Sequence, residues 1–444
     1  MWKKLVAPML SASLILGMAA GCTEKSGGDE KSKGGSKKET VEITWWNYPN
    51  WDPLDGEVGK YEKEIIKAFN KKHPEIKVNL EMISFEGGPE KVNVALASKS
   101  APDVIYDFPG RILDYGQKGY LAPLNDMIDD DFKKDVSDSI WNQTKVNDDI
   151  VMYPINTTPF MMAVNKTLFE KIGALDLLPL DRPERTWTVA EYQKALEAVK
   201  EKAPDVFPSG FFAKNTGGDQ GTRAYLANLA GTSFMDPDMK KITINSEDGV
   251  KALQWVVDGV KNKLVAPGTE SLTSNDNLDL FMQGKLATTI IYSSVLKKIY
   301  STKKVADFEE AFVAFPTPDG KNPAFEPFIG GMAVFNNGDK AKVEAAKKLV
   351  DFIANDPDWT KKNLKATGGF SVRSSVSGLY DNPEMKYVES MRKYMIDAPT
   401  RAKNFIELRT VWFPELQKAL MGQATAKEAL DSFAKKGDEI VNKN

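Results

Sequence analysis

Tyr153-Pro154-Ile155-Asn156-Thr157-Thr158-Pro159-Phe160-Met161-Met162-Ala163-Val164-Asn165-Lys166-Thr167-Leu168-Phe169-Glu170-Lys171-Ile172-Gly173 decides how the rest of the chain is read. Pro154 and Pro159 bracket a polar segment; proline forbids helix interior and limits sheet pairing. Phe160 to Val164 is an apolar strand, and a helix starts at Asn165. The chain leaves one structured block, crosses an open polar segment and enters another. A cleft and a hinge are expected at such a crossing, and small ligands are expected to bind there.

Working outward, the 444 residues exceed the roughly 250–300 at which one core stops growing, so two domains are expected. Hydrophobic residues at 42% and charged residues at 27% fit an ordinary globular chain. A net charge of −3, with no basic stripe interleaved with aromatics, gives nucleic acid nothing to hold. Cys22 is the single cysteine and His73 the single histidine. No disulfide can form within the chain, and no Cys/His zinc site can be assembled. A Ser-His-Asp triad would have to use His73, which sits at a charged helix end stopped by Pro74 and reads as a solvated surface residue.

The first 21 residues read as a secretory signal: Lys3 and Lys4, then an apolar run from Leu5 to Met18, too short for the ~20 residues that span a bilayer. Ala19-Ala20-Gly21-Cys22 resembles the lipobox of bacterial lipoproteins, with Ala19 where Leu is usual. The resemblance implies that Cys22 carries lipid and becomes the first residue. Residues 22–40 are Lys, Gly, Ser and Glu with almost nothing apolar, and read as a flexible tether.

Val41 to Trp46 alternates as a strand, Glu57 to Lys72 is helical with Val58, Tyr61, Ile65 and Phe69 on one face, and Ile76 to Met82 alternates again. Pro89 opens a helix through Lys99, and Pro102 to Tyr106 is a short buried strand. This β-α-β-α-β order predicts an α/β fold with a doubly wound sheet, whose ligands bind beyond strand carboxyl ends. Asn147-Asp148 predicts a hairpin turn. Thr188 precedes a helix to about Lys202, and Gly217 to Arg223 opens another. Phe281 to Ala287 turns from helix into a strand ending at Tyr292. Glu310 to Ala314 is a strand, Phe315-Pro316-Thr317-Pro318 reads as a second crossing, and Phe328 to Val334 returns to sheet.

These pieces, in this order, resemble the extracellular solute-binding proteins of ABC importers, in the carbohydrate-binding family that includes maltose-binding protein. The resemblance lies in Tyr153-Pro154-Ile155 with Asn165 to Gly173 (Val164 replacing the usual Tyr), and in Phe281-Met282-Gln283-Gly284-Lys285-Leu286-Ala287. Ala366 to Arg373 (Val372 where Pro is common) and Gly422 to Leu430 complete it. It implies a two-lobe periplasmic-binding-protein-like fold, each lobe a sheet flanked by helices, joined by crossing hinge strands. Lobe 1 is then expected from 41–156 and 316–372, lobe 2 from 157–315 and 373–444, with hinges near Asn156 and Pro316. It further implies no catalysis, no cofactor and no metal, a sugar or oligosaccharide ligand, a membrane permease with a separate ATPase as partners, and a monomer on the outer face of the membrane.

A sugar offers apolar ring faces to aromatics and hydroxyls to carboxylates, amides and arginine. Candidates therefore sit at strand ends and crossings: Trp46, Asn47 and Tyr48; Asp107 and Phe108; Thr157 and Thr158, which could equally be a hydrogen-bonded hinge. Neighbours on a strand face opposite ways, so one of Trp45 and Trp46 faces the cleft, and Trp46 is expected to. Asp219 and Arg223 are four apart at a helix start, as a ligand pair or a local ion pair. Tyr292, Gly330-Gly331, Phe370, Arg373 and Trp412 complete the set, Trp412 because the family often places an aromatic platform in that region. Two rivals stand beside the sugar receptor. One is a secreted glycosidase, which needs two carboxylates ~5–10 Å apart and could use Asp107 and Asp219. The other is a receptor for a non-sugar solute such as glycerol phosphate, using Arg223 and Arg373.

Overall fold

The stretch from Val41 to Asp107 builds half of a sheet. The computed structural model, which describes residues 40–443 other than 86, 215–216 and 302–303, gives parallel strands β1 (Val41–Asn47), β2 (Ile76–Met82) and β3 (Val104–Asp107). The expected signal, Cys22 and tether through residue 39 lie outside the described residues. Helices Lys60–Lys72 and Gly88–Ala97 make the crossovers. The first helix starts later than its apolar spacing predicts. Gly59 stands at φ 85°, and an added Cβ there would lie 2.9 Å from Met82, so Val58 is left outside, 52% exposed.

After a hairpin of β4 (Lys145–Val146) and β5 (Asp149–Ile150), turning at Asn147 with φ 55°, come β6 (Tyr153–Pro159) and β7 (Met161–Asn165). The later strands are β8 (Phe207–Ser209), β9 (Leu286–Tyr292), β10 (Glu310–Val313), β11 (Pro327–Val334) and β12 (Phe370–Ser371). One sheet has the order β12-β6-β11-β3-β1-β2 and the other β10-β7-β9-β8. β1 is followed by β2 on one side and β3 on the other. The order therefore reverses between β1 and β3, and their carboxyl ends form the crevice where such sheets take ligands.

β6 carries prolines yet runs inside a sheet. Pro154 faces Gly331 where the β6–β11 register shifts, so its missing N–H falls at a bulge, and Pro159 pairs with Pro327 where the ladder ends. The β6 residues are buried throughout, which the polar sequence Asn156-Thr157-Thr158 does not suggest.

Two apolar clusters follow the two sheets. One runs from Ile43 to Ile155 and resumes from Ile329 to Leu379; the other holds Phe160 to Phe328 and most buried residues from Tyr387 to Val441. The chain thus passes from one core to the other between Ile155 and Phe160, where β6 meets β7. The second passage corrects the reading of Phe315-Pro316-Thr317-Pro318. Phe315 and Phe325 pack together in the second core with ring centroids 6.0 Å apart, and Thr317 bridges to Thr188. The passage lies inside β11, between Phe328 and Ile329, so residues 316–328 pack with the second core rather than the first.

Candidate ligand-binding site

At the crevice, β1 runs into a loop rich in rings and amides. Trp45 meets Trp51 edge-on at 5.6 Å, and Trp51 packs on Tyr106 at 4.9 Å. The Tyr106 hydroxyl donates to Asn156 Oδ1 (2.6 Å), and Asn156 Nδ2 donates to Thr367 Oγ1 (3.1 Å). Tyr106, Asn156 and Thr367 are thus paired, whereas the end of β1 and the loop after it are not. Trp45 Nε1, Asn47 Oδ1, Tyr48 OH, both amide atoms of Asn50 and Trp51 Nε1 are buried with no hydrogen-bond partner. A buried polar group left unpaired costs ~1–3 kcal/mol, and native proteins hold few of them. Here they crowd into seven consecutive residues, at the topological switch point. Indole donors, a carbonyl acceptor and groups that do both are what a molecule with several hydroxyls would engage.

Asn47 has its other end tied. Its Nδ2 donates to Glu62 Oε1 at 2.7 Å, and burial pushes the Glu62 carboxyl up from its usual range. A carboxyl raised on folding keeps its proton while the unfolded chain loses it, so native stability falls as pH rises above the unfolded pKa of about 4.3. Glu62→Gln is therefore expected to stabilise the protein at pH 7.5 and to do nothing at pH 4. Thermal melts at both pH values check this; an equal effect at both would remove burial of the charge as the cause.

The second lobe reaches this face through the helix Ser294–Tyr300. Lys298 pairs with Asp52 at 2.5 Å, and the Ser294 and Thr158 hydroxyls share a hydrogen bond of 2.9 Å. Across the sheet, helices Pro109–Gln117 and Phe405–Leu420 bring the lobes together again. Asp107 Oδ1 accepts from the Phe108 amide (2.8 Å) and Oδ2 from Arg111 Nε (2.7 Å), with Arg111 Nη2 also on Asp107. In the second lobe Arg223 forks onto Glu326 (3.0 and 2.6 Å) and also holds Asp219, while Asp219 Oδ1 accepts from Arg409 Nε at 2.8 Å.

Several expected ligand residues are therefore committed elsewhere. Asp107 and Asp219 are held by guanidinium groups, and Arg223 is the centre of a buried ion triad. Trp46 turns from the polar loop and lies under the Lys91 ammonium at 4.6 Å; of the two indoles it is Trp45 that joins the cluster. Tyr48 is in place, buried and stacked on Phe85 at 5.3 Å, and Phe108 spans the two cores through Phe328 at 4.5 Å. Thr157 points away to Met395 (3.7 Å). Tyr292 is in the second core, its hydroxyl 3.5 Å from Glu310. Gly330 and Gly331 serve close packing: a Cβ would stand 1.9 Å from the Tyr106 hydroxyl oxygen and 2.4 Å from the Tyr153 carbonyl oxygen. Phe370 is buried beside Tyr380. Arg373 lies over Phe132 at 4.2 Å, in a cavity of about 110 Å³ shared with Tyr153 and Asn355 at the β6–β12 edge, away from the crevice. Trp412 is 2% exposed and packed among Phe234 and Phe433, beside the small cavity that Asp219, Arg223 and Arg409 also line. Sequence reasoning missed Asn50, Trp51, Arg111 and Arg409. For the first two a signal existed: Pro49-Asn50-Trp51-Asp52-Pro53 is a proline-bracketed aromatic and amide loop following a strand end.

Two sheet-and-helix lobes, crossed by strands and meeting over a strand-end crevice, define the solute-binding class of α/β protein. The chain matches the bacterial extracellular solute-binding protein family over residues 54–358, more than half its length, and belongs to that family. It is 22% identical over 390 residues to a binding protein of Brucella abortus, covering 87% of this chain and 90% of that protein. To the sn-glycerol-3-phosphate-binding periplasmic protein UgpB of Escherichia coli K12 it is 22% identical over 440 residues, covering 89% and 92%. Among solved structures, it resembles an ABC substrate-binding protein of Listeria monocytogenes in complex with cycloalternan (TM-score 0.73, 22% identity, 90% of this chain and 99% of that one). A solute-binding protein of Thermotoga lettingae bound with α-D-tagatose gives TM-score 0.75 at 19% identity, covering 91% and 100%. At these identities the likeness carries the fold.

Proposed function

We propose that this chain is the receptor of an ABC importer for a sugar or oligosaccharide, held in the crevice between the lobes and delivered to a membrane permease driven by a separate ATPase. The carrying observation is the run of unpartnered buried donors and acceptors from Trp45 to Trp51, set among aromatic rings. Hydroxyls satisfy the polar atoms and ring C–H faces suit the aromatics. The solved relatives with cycloalternan and tagatose add support. The two passages, at Phe160 and within β11, are the proposed hinges.

Trp51→Phe tests the reading. It keeps a ring against Trp45 and Tyr106 and removes one buried, unpaired N–H. The ligand-free protein should melt at the same temperature or higher, because an orphan donor is gone. Binding of the sugar found by a thermal-shift screen should weaken about 2- to 12-fold, the worth of a ~0.5–1.5 kcal/mol hydrogen bond. Unchanged affinity with lowered stability would make Trp51 a packing residue alone.

The same proposal includes anchoring. Among the described residues no helix is long and apolar enough to cross a membrane. Ala19-Ala20-Gly21-Cys22 supports lipid attachment at Cys22, outside the cell membrane. Cys22→Ser should move the protein from the membrane fraction to the medium with its melting temperature unchanged. Equal partitioning of mutant and wild type would refute the anchor.

A further inference from the structure

The first-lobe sheet comes apart at its edge where the chain leaves β12. Phe370 and Ser371 pair with β6, the Val372 amide still reaches the Ile155 carbonyl (3.4 Å), and the backbone then bends away at Arg373. The splay leaves a cavity of about 110 Å³, several times the ~10–15 Å³ that one water needs. Phe132, Tyr153, Ile155, Ala354 and Val372 line it, and all belong to the first core. No residue of the Trp45 to Trp51 loop lines it, and none of the second core.

The strongest polar groups in this cavity are donors. Arg373 lies over the Phe132 ring at 4.2 Å and gives Nη2 to Asn355 Oδ1 at 3.2 Å. Among the described residues no carboxylate pairs with it. Asp135 accepts instead from Ser374 Oγ (2.7 Å) and the Ser375 amide (2.8 Å), and Asp351 from Asn355 Nδ2 (2.8 Å). Tyr153 is 2% exposed; its hydroxyl oxygen accepts from Asn355 Nδ2 at 2.8 Å, while its own O–H donates to nothing among the described residues. Burial pushes the Tyr153 pKa up, so the proton stays in place at neutral pH. A cation without a counter-charge and a buried donor without an acceptor thus share one space. Water supplies acceptors but no charge. A carboxylate supplies both, and its two oxygens suit the arginine fork. Phosphate brings more oxygens than these two groups can serve, and turns the rest onto Ile155, Ala354 and Val372.

We infer that this cavity is a second ligand site, separate from the crevice, for a small carboxylate with an apolar body: Arg373 and Tyr153 take the carboxylate, and Phe132, Ile155 and Val372 take the body. The site does not depend on what the crevice binds.

Calorimetric titration of the full chain with benzoate, neutral benzamide and inorganic phosphate tests it, together with amide chemical shifts of the benzoate complex. Benzoate should bind at least about tenfold more tightly than benzamide, which has the same ring without the charge, and more tightly than phosphate. It should shift the amides of Ser371, Val372 and Arg373 and leave those of Asn47, Asn50 and Trp51 in place. Arg373→Gln should weaken benzoate by about tenfold or more. Tyr153→Phe keeps the ring that packs on Phe132 at 5.2 Å and should weaken benzoate about 2- to 12-fold. Trp51→Phe should leave benzoate affinity unchanged. Should Arg373→Gln fold poorly, Tyr153→Phe decides alone, and unchanged affinity there overturns the site. Benzamide bound as well as benzoate overturns the role of charge, and phosphate bound as well as benzoate overturns the carboxylate. Shifts confined to Asn47 to Trp51, or no benzoate binding at all, overturn the site itself.

Discussion

Trp412→Ala is expected to destabilise the protein by about 3–5 kcal/mol, the range for truncating a buried tryptophan. The indole is 2% exposed, meets Phe234 edge-on at 5.0 Å and Phe433 at 4.7 Å, and donates Nε1 to Thr222 Oγ1 at 3.0 Å. Losing it opens a cavity and strands the Thr222 hydroxyl lone pair, next to the Asp219–Arg223 pair. Sugar affinity of the fraction that stays folded should hardly change, since the indole is buried among second-core rings. Urea unfolding followed by circular dichroism measures the loss, and titration at low temperature measures binding. Normal stability with lost affinity would return Trp412 to the ligand face on which the family resemblance puts it.

Trp412 lies in a helix that its local sequence does not suggest. Thr410-Val411-Trp412-Phe413-Pro414 looks like an interruption because proline breaks helices, yet the helix Phe405–Leu420 runs through Pro414. The first lobe was legible for the opposite reason: Ile76, Val78 and Leu80 alternate, prolines and glycines punctuate the helices, and β1, β2 and β3 emerge with the expected connections. Thr188 could likewise be read as a helix start, and its capping box with Glu191 is formed. The second crossing was misplaced because two prolines drew attention to Phe315–Pro318. The real passage is the apolar run of β11, buried along its whole length, whose sequence looks like any core strand. Period-two alternation says that Trp45 and Trp46 face opposite ways, but not which way the crevice lies; that depends on Trp51 and Tyr106 arriving from elsewhere. Arg409 gave no signal, because its bond to Asp219 forms only once residues 190 apart in the chain have packed.

The ion triad is the extreme case of such long-range dependence, and its disruption is expected to be the other large effect. Arg223 and Glu326 are 103 residues apart in sequence and both 3% exposed, with Asp219 equally buried. Arg223→Met removes the cation that faces two carboxylates. Arg409 can still serve Asp219 through Nε, but among the described residues no second cation pairs with Glu326. Breaking a buried pair by deleting one partner costs about 3–5 kcal/mol, because the remaining charge keeps its desolvation penalty and loses its compensation. Arg223→Met also gives up ring contacts at 5.7 Å to Phe234 and 5.3 Å to Phe405. Adding Glu326→Leu should then recover much of the loss, since the stranded charge disappears and an apolar pair of similar bulk fills the site. The double-mutant cycle separates the two causes: coupling of several kcal/mol identifies the stranded carboxylate, while additive losses identify packing around the Arg223 stem. Urea unfolding of wild type, both single mutants and the double mutant supplies the four stabilities, and a single mutant within about 1 kcal/mol of wild type would mean that water reaches Glu326 as soon as its partner leaves.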